Sequence, residues 1–137
     1  HWRFKIEIKD DHDLSTMFIG ICDNSQNLKE LKRHHLCYYQ LAVSFGLNLL
    51  KGQRVGCKSL FDQDEQYCPG GKDGDIIDMF VDLSQMELKY VINGKDYGKA
   101  FDIPDGQYRV GVALRSHTYN YNAIKLISYH TKKFNKQ

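Results

Sequence analysis

The chain has 137 residues, enough for one ordinary domain with its own core. Hydrophobic residues make up 42% and charged residues 26%, a globular balance that argues against disorder. A net charge of +2 is too small to mark a nucleic-acid or membrane-surface binder, and no apolar run nears the roughly 20 residues of a spanning helix.

At the start, Trp2, Phe4, Ile6 and Ile8 alternate with Arg3, Lys5, Glu7 and Lys9, the strict period two of a half-buried strand. "DDHDLS" interrupts with loop chemistry, and "TMFIGIC" is a second strand that ends at Asp23-Asn24-Ser25. "NLKELKRHH" has some helical character but no apolar face, and is read as a loop or single turn. "YYQLAVSFGL" is a third strand. Residues 46 to 74 are glycine-rich and mostly irregular, with room for one or two short strands. "DIIDMFVDL" follows, with Ile77, Met79, Val81 and Leu83 on one face, then the turn "SQM" and the strand "ELKYVI" with Leu88, Tyr90 and Ile92 aligned. "QYRVGVALR" carries Tyr108, Val110, Val112 and Leu114 on one face, and "NAIKLISYH" closes the set. Short strands with almost no helix predict an all-β fold, an antiparallel β-sandwich of two sheets. Trp2, Ile6, Val81, Tyr90 and Val112 are expected in its core. Residues 1–130 form the domain and 131–137 a solvated basic tail. The chain opens without an initiator methionine or signal-peptide core and reads as a piece of a longer protein.

Within "VINGKDYGKAF" two readings compete. Gly94, Gly98 and Lys99 suggest a phosphate loop, but their spacing is one residue short. Ala100 stands where a hydroxyl is required, and "FDIPDG" cannot supply the helix that must follow. Asn93-Gly94 therefore reads as a type I′ hairpin turn, since both residues tolerate positive φ. The four cysteines, Cys22, Cys37, Cys57 and Cys68, form no Cys-x-x-Cys pair and match no zinc spacing. Free thiols in a reducing compartment are expected.

"GDIIDMFVDLSQMELKYVINGKDYGKAF" resembles the central signature of SPRY domains (the PRY–SPRY, butyrophilin-like family). Gly74-Asp75, Asp82-Leu83, Leu88, Tyr90, Asn93-Gly94 and Gly98-Lys99-Ala100-Phe101 fill its places. "HWRFKIEI", "MFIGICD" and "YRVGVAL" sit where that family has its early and late strands. One or two strands usually found before the His-Trp position are missing, and "NLKELKRHHLCYYQL" and "SLFDQDEQYCPGG" follow no family pattern. The resemblance implies a bent sandwich of concanavalin-like, jelly-roll type. It implies a non-catalytic module that binds a short peptide or loop of a partner protein through loops at one end. Such modules occur as monomeric domains within larger intracellular, cytoplasmic chains such as scaffolds and ubiquitin-ligase substrate receptors. A carbohydrate-binding, lectin-like sandwich is the alternative, and an enzyme the more remote one.

The family's peptide pocket uses two loops. "SFGLNLLKGQRVGCKS" is similar to one and offers Val55, Gly56, Cys57 and Lys58. "RSHTYNYN" corresponds to the other and offers Arg115, Ser116, His117, Tyr119 and Tyr121. Tyrosine and arginine are enriched at binding hot spots because they combine contact area with directed hydrogen bonds. The two segments are expected to meet at one end of the sandwich. Ser44, Cys57, His117 and Asp78 could be arranged as a catalytic set, but no nucleophile elbow or zinc-protease pair accompanies them. "DDHD" and "FDQDEQ" lack the glycine and closing glutamate of a calcium loop and read as solvated acids. "KELKRHH" reads as a basic surface face, with an acidic or phosphate partner as the sharper alternative. No cofactor, metal, nucleic acid or membrane insertion is expected.

Overall fold

The computed structural model describes residues 1–12, 14–23, 44–56, 65–116 and 118–131. Ten strands form from them: β1 (Trp2–Glu7), β2 (Thr16–Asp23), β3 (Ser44–Asn48), β4 (Gln53–Gly56), β5 (Glu65–Gln66), β6 (Ile76–Asp82), β7 (Glu87–Ile92), β8 (Lys95–Asp102), β9 (Tyr108–Arg115) and β10 (Ala123–Tyr129). No helix occurs among the described residues. Sheet A has the order β10-β1-β6-β7-β8 and sheet B the order β5-β4-β3-β2-β9. Neighbouring strands run antiparallel, and neither sheet closes into a barrel. The chain is an all-β sandwich.

The alternating residues explain the layers. Phe4 and Ile6 of β1, Ile77 and Met79 of β6, and Leu88 and Tyr90 of β7 turn inward from sheet A. Met17, Ile19 and Ile21 of β2, with Phe45 and Leu47 of β3, turn inward from sheet B. Each fully buried aliphatic side chain contributes about 1.5–3 kcal/mol of transfer free energy. Tyr90 is wholly buried, yet its hydroxyl is satisfied: it crosses the core and donates to the Ile19 carbonyl at 2.7 Å. Leu49, Cys68, Ala100 and Ile103 complete the cluster.

The strand expectations hold through the second half. Asn93 (φ 51°) and Gly94 (φ 82°) both lie in the left-handed region, so the β7–β8 connection is the type I′ turn that the sequence predicts. The Asn93 side chain does more than turn the chain. Its Oδ1 accepts from the Ile76 amide at 2.8 Å, and its Nδ2 donates to Asp75 at 2.9 Å. At the β6–β7 turn, Asp82 accepts from the Ser84 hydroxyl and from the Ser84 and Gln85 amides, which holds its carboxyl below the ordinary carboxylate range. The segments "NLKELKRHH" and most of "FDQDEQ", along with residues 38–43 of the third predicted strand, lie outside the described residues.

Core depth differs from expectation at particular places. Ile6 and Tyr90 are buried, and Trp2 and Val81 are half-buried. Val112 is 49% exposed. Its face is right, since it pairs with fully buried Ile19, but β9 is the last strand of its sheet and little covers its inner side. Leu83 is exposed because it has left β6 and entered the turn.

Candidate functional site

At one end of the sandwich the segment after β1 meets the connection from β9 to β10, and a small polar network locks them together. Asn122 is buried at the start of β10. Its Oδ1 accepts from the Lys9 amide at 2.7 Å and the Asp10 amide at 2.8 Å, while its Nδ2 donates to the Asp10 carbonyl at 2.7 Å. Asp10 is buried as well. Its carboxylate accepts from the His12 amide at 3.0 Å, the Ser15 hydroxyl at 2.7 Å and the Thr118 amide at 3.2 Å. These donors, led by the His12 amide and then the Ser15 hydroxyl, hold the Asp10 carboxyl far below the ordinary carboxylate value. The loop is further ordered by the Thr118 hydroxyl oxygen, which accepts from the Asn120 amide at 3.2 Å.

On this fixed backbone stand large side chains that the core does not use. Tyr119 is 95% exposed and Tyr121 69%; Leu14, from the facing segment, is 57% exposed. Arg115 is exposed at the end of β9, opposite Thr16, and Ser116 beside it is half-buried. Asp10, Asn122 and Leu14 are residues that the sequence reading passes over. "DDHDLS" reads as solvated acids, and only the Asp-x-His-x-x-Ser spacing hints at a carboxylate folded back on its own loop.

Of the second expected half of the pocket, the described residues Val55 and Gly56 lie elsewhere. Gly56 pairs with Phe45, which pairs with Ile21, which pairs with Val110. Arg115 lies five residues further along β9 and three strands across. At about 3.4 Å per residue and 4.8 Å per strand, it is on the order of 20 Å from Gly56. Val55 and Gly56 thus run toward the opposite end of the sheet from the tyrosine loop, and the structure does not bring the two together. Gly56 lies against the ring of Phe101, where a Cβ would approach to 3.2 Å. Val55 packs instead on the outer side of sheet B with Phe18, Cys22 and Ala113. Cys57, Lys58 and His117 lie outside the described residues.

That opposite end holds a cleft of about 880 Å³ between the sheets, walled by Trp2, Ile21, Phe80, Val81, Tyr108 and Val110. His1 closes one side, its ring stacked on Phe80 at 4.2 Å and its Nε2 2.7 Å from the buried carboxylate of Asp78. No group of three or more His, Cys, Asp or Glu side chains placed to hold a metal occurs among the described residues. Cys22 and Cys68 are buried and neither is in a disulfide, and burial pushes the Cys68 thiol up to about 11. Among the described residues no helix is long and apolar enough to cross a membrane.

The chain matches no protein-family model, and a search of curated proteins likewise finds no match.

Proposed function

We propose that this chain is a non-catalytic protein-interaction module that binds a short peptide or loop of a partner protein. The binding surface is the end of the sandwich formed by Arg115–Tyr121 and Leu14. One observation carries the reading: Tyr119 and Tyr121 project into solvent from a loop whose backbone is held by buried Asp10 and Asn122. A partner meeting them orders few additional degrees of freedom, because the loop is already fixed and a tyrosine has only two side-chain torsions. Arg115 supplies directed donors for carbonyls or carboxylates of an extended ligand.

The resemblance of the Gly74–Phe101 block to SPRY domains supports the same role. It adds a finer proposal: a jelly-roll sandwich within a larger scaffold or ubiquitin-ligase receptor. Two buried cysteines outside any disulfide, Cys22 and Cys68, are in keeping with an intracellular, reducing setting.

The test is selection of binders from a random-peptide display library. Affinity of the selected peptides is then measured on the wild type, Tyr119→Ala and Arg115→Ala, with melting temperatures alongside. Each variant should weaken binding by about 1–3 kcal/mol, as hot-spot truncations do, with little change in melting. Selected peptides that bind both variants as well as the wild type would remove this surface as the site. Enrichment on a glycan array in place of peptides would favour the lectin alternative.

A further inference from the structure

The four outer strands of the sandwich are not equally guarded. β5 is two residues long. β8 carries Lys95, Asp96, Lys99 and Asp102, its pairing with β7 shifts twice, and Gly98 sits at φ 82°. β10 is broken by a register shift that leaves Ile127 without a partner in β1. Short strands, charges and bulges are the devices that stop an edge from recruiting another strand. β9 is neither short nor bulged, and its only charges, Arg109 and Arg115, are of one sign and stand on one face. Its eight residues pair with β2 in unbroken register from Thr16↔Arg115 to Asp23↔Tyr108, and no strand pairs with its other edge among the described residues.

The two faces of β9 say what would fit. Val110, Val112 and Leu114 lie on the inner face opposite fully buried Ile21, Ile19 and Met17, yet Val112 and Leu114 are nearly half exposed. Across the gap, Leu126 of β10 lies opposite buried Phe4 and is 50% exposed. The inner side of this edge is therefore apolar and open. The outer face carries Arg109, Gly111, Ala113 and Arg115. From Gln107 to Gln137 the chain contains no aspartate or glutamate at all, against six lysines and arginines. Arg115 forms no ion pair among the described residues.

We infer that the outer edge of β9, unpaired among the described residues, accepts an extended segment of a partner protein as a sixth strand of sheet B, with apolar and acidic residues in a fixed register. Directly opposed residues in a sheet share a face. The incoming chain places apolar side chains beside Val110, Val112 and Leu114, where they cover the open inner side. It places carboxylates beside Arg109 and Arg115, six residues apart, with unconstrained positions beside Gly111 and Ala113. Main-chain hydrogen bonds to β9 give affinity, and the alternating side chains give the pattern. A second copy of this chain is a poorer occupant, because pairing β9 with itself brings cations and no acid to the edge. This surface shares Arg115 with the tyrosine-loop site but does not depend on Tyr119 or Tyr121.

The probe is the fluorescein-labelled heptapeptide Glu-Val-Thr-Val-Thr-Val-Glu, titrated into the whole chain by anisotropy. Two controls accompany it: the same peptide with lysine at both ends, and the composition-matched Val-Val-Glu-Thr-Thr-Glu-Val. Amide exchange locates the bound peptide. The acidic alternating peptide should bind at least about tenfold more tightly than either control and protect amides between Arg109 and Arg115. Val112→Glu should abolish binding. Arg109→Glu should weaken the acidic peptide and strengthen the lysine-ended one, a reversal that mere unfolding cannot produce. Equal binding of the composition-matched peptide, or no binding, would overturn the proposal. So would protection confined to residues 116–122, which would leave the loop reading standing, or self-association of the free protein through β9.

Discussion

Asn122→Ala is the most informative single change in the molecule. The side chain is buried and makes three hydrogen bonds, all to the backbone of Lys9 and Asp10. A typical intramolecular hydrogen bond contributes about 1 kcal/mol net, so losing three costs about 3 kcal/mol. Water entering the vacated space would lower that figure, and a fully dry cavity would raise it. The cost should be local as well as global. With Asn122 gone, residues 9–15 lose three of their ties to the β9–β10 connection, while the Asp10 contact to Thr118 remains. Urea unfolding should therefore show a stability loss of about 3 kcal/mol. Native-state amide exchange should show the Lys9 and Asp10 amides losing protection beyond that global change. Peptides selected on the tyrosine loop should bind more weakly to the folded variant, because the loop must now be ordered on binding. A loss below about 1 kcal/mol, with the Lys9 and Asp10 amides still protected, would refute the view that Asn122 holds this end together.

Other outcomes follow from the same geometry. Asn93→Ala should cost about 1–2 kcal/mol in chemical denaturation, since alanine tolerates left-handed φ poorly and the Ile76 amide loses its acceptor. Tyr90→Phe should cost about 1 kcal/mol without changing the fold, as one buried hydrogen bond is removed and the ring remains. Cys22 and Cys68 should resist alkylation near pH 8 in the native protein and react on unfolding, as followed by peptide mapping. Asp10 is held in its charged form in the folded state, so its contribution is complete above the ordinary carboxylate value of about 4 and is lost as pH falls toward the depressed folded value. The stability gap between wild type and Asp10→Asn should accordingly shrink on acidification below pH 4. A gap that widened there would contradict the hydrogen-bond assignment.

The sequence made the local features legible and the long-range ones much less so. The turn at Asn93-Gly94 could be read because its requirement, two adjacent residues at positive φ, is met within two positions. Strand faces could be read because period two is a property of the strand alone. Depth could not. Val81 and Val112 look alike in their patterns, yet one lies in a central strand and the other at an edge. Pairing across the chain was also out of reach. Asn122 and Asp10 are 112 residues apart, and nothing in "YNYN" announces that its last asparagine will cap a loop near the first strand. The expectation that Val55–Lys58 would join Arg115–Tyr121 came from the resemblance of each segment to a family loop, and where Val55 and Gly56 fall relative to Arg115 depends on pairing through β3 and β2. Register decides that, and it is set by the whole sheet.

The contrast between the two ends of the sandwich supports placing recognition at the tyrosine loop. The end beside Trp2 and Tyr108 is a recess, where a ligand would have to bring matching bulk into a gap between sheets. The other end is a fixed platform that presents side chains outward. Burying a carboxylate and an amide normally costs free energy, and here each is compensated by several backbone donors or acceptors. Such compensation orders a loop that has little apolar core of its own. With the loop ordered, Tyr119 and Tyr121 expose large, stiff surfaces, which favour association when covered and are unfavourable when bare. The hydrogen-bonded backbone of this loop and its uncovered Tyr119 and Tyr121 are the features on which the proposed partner contact rests.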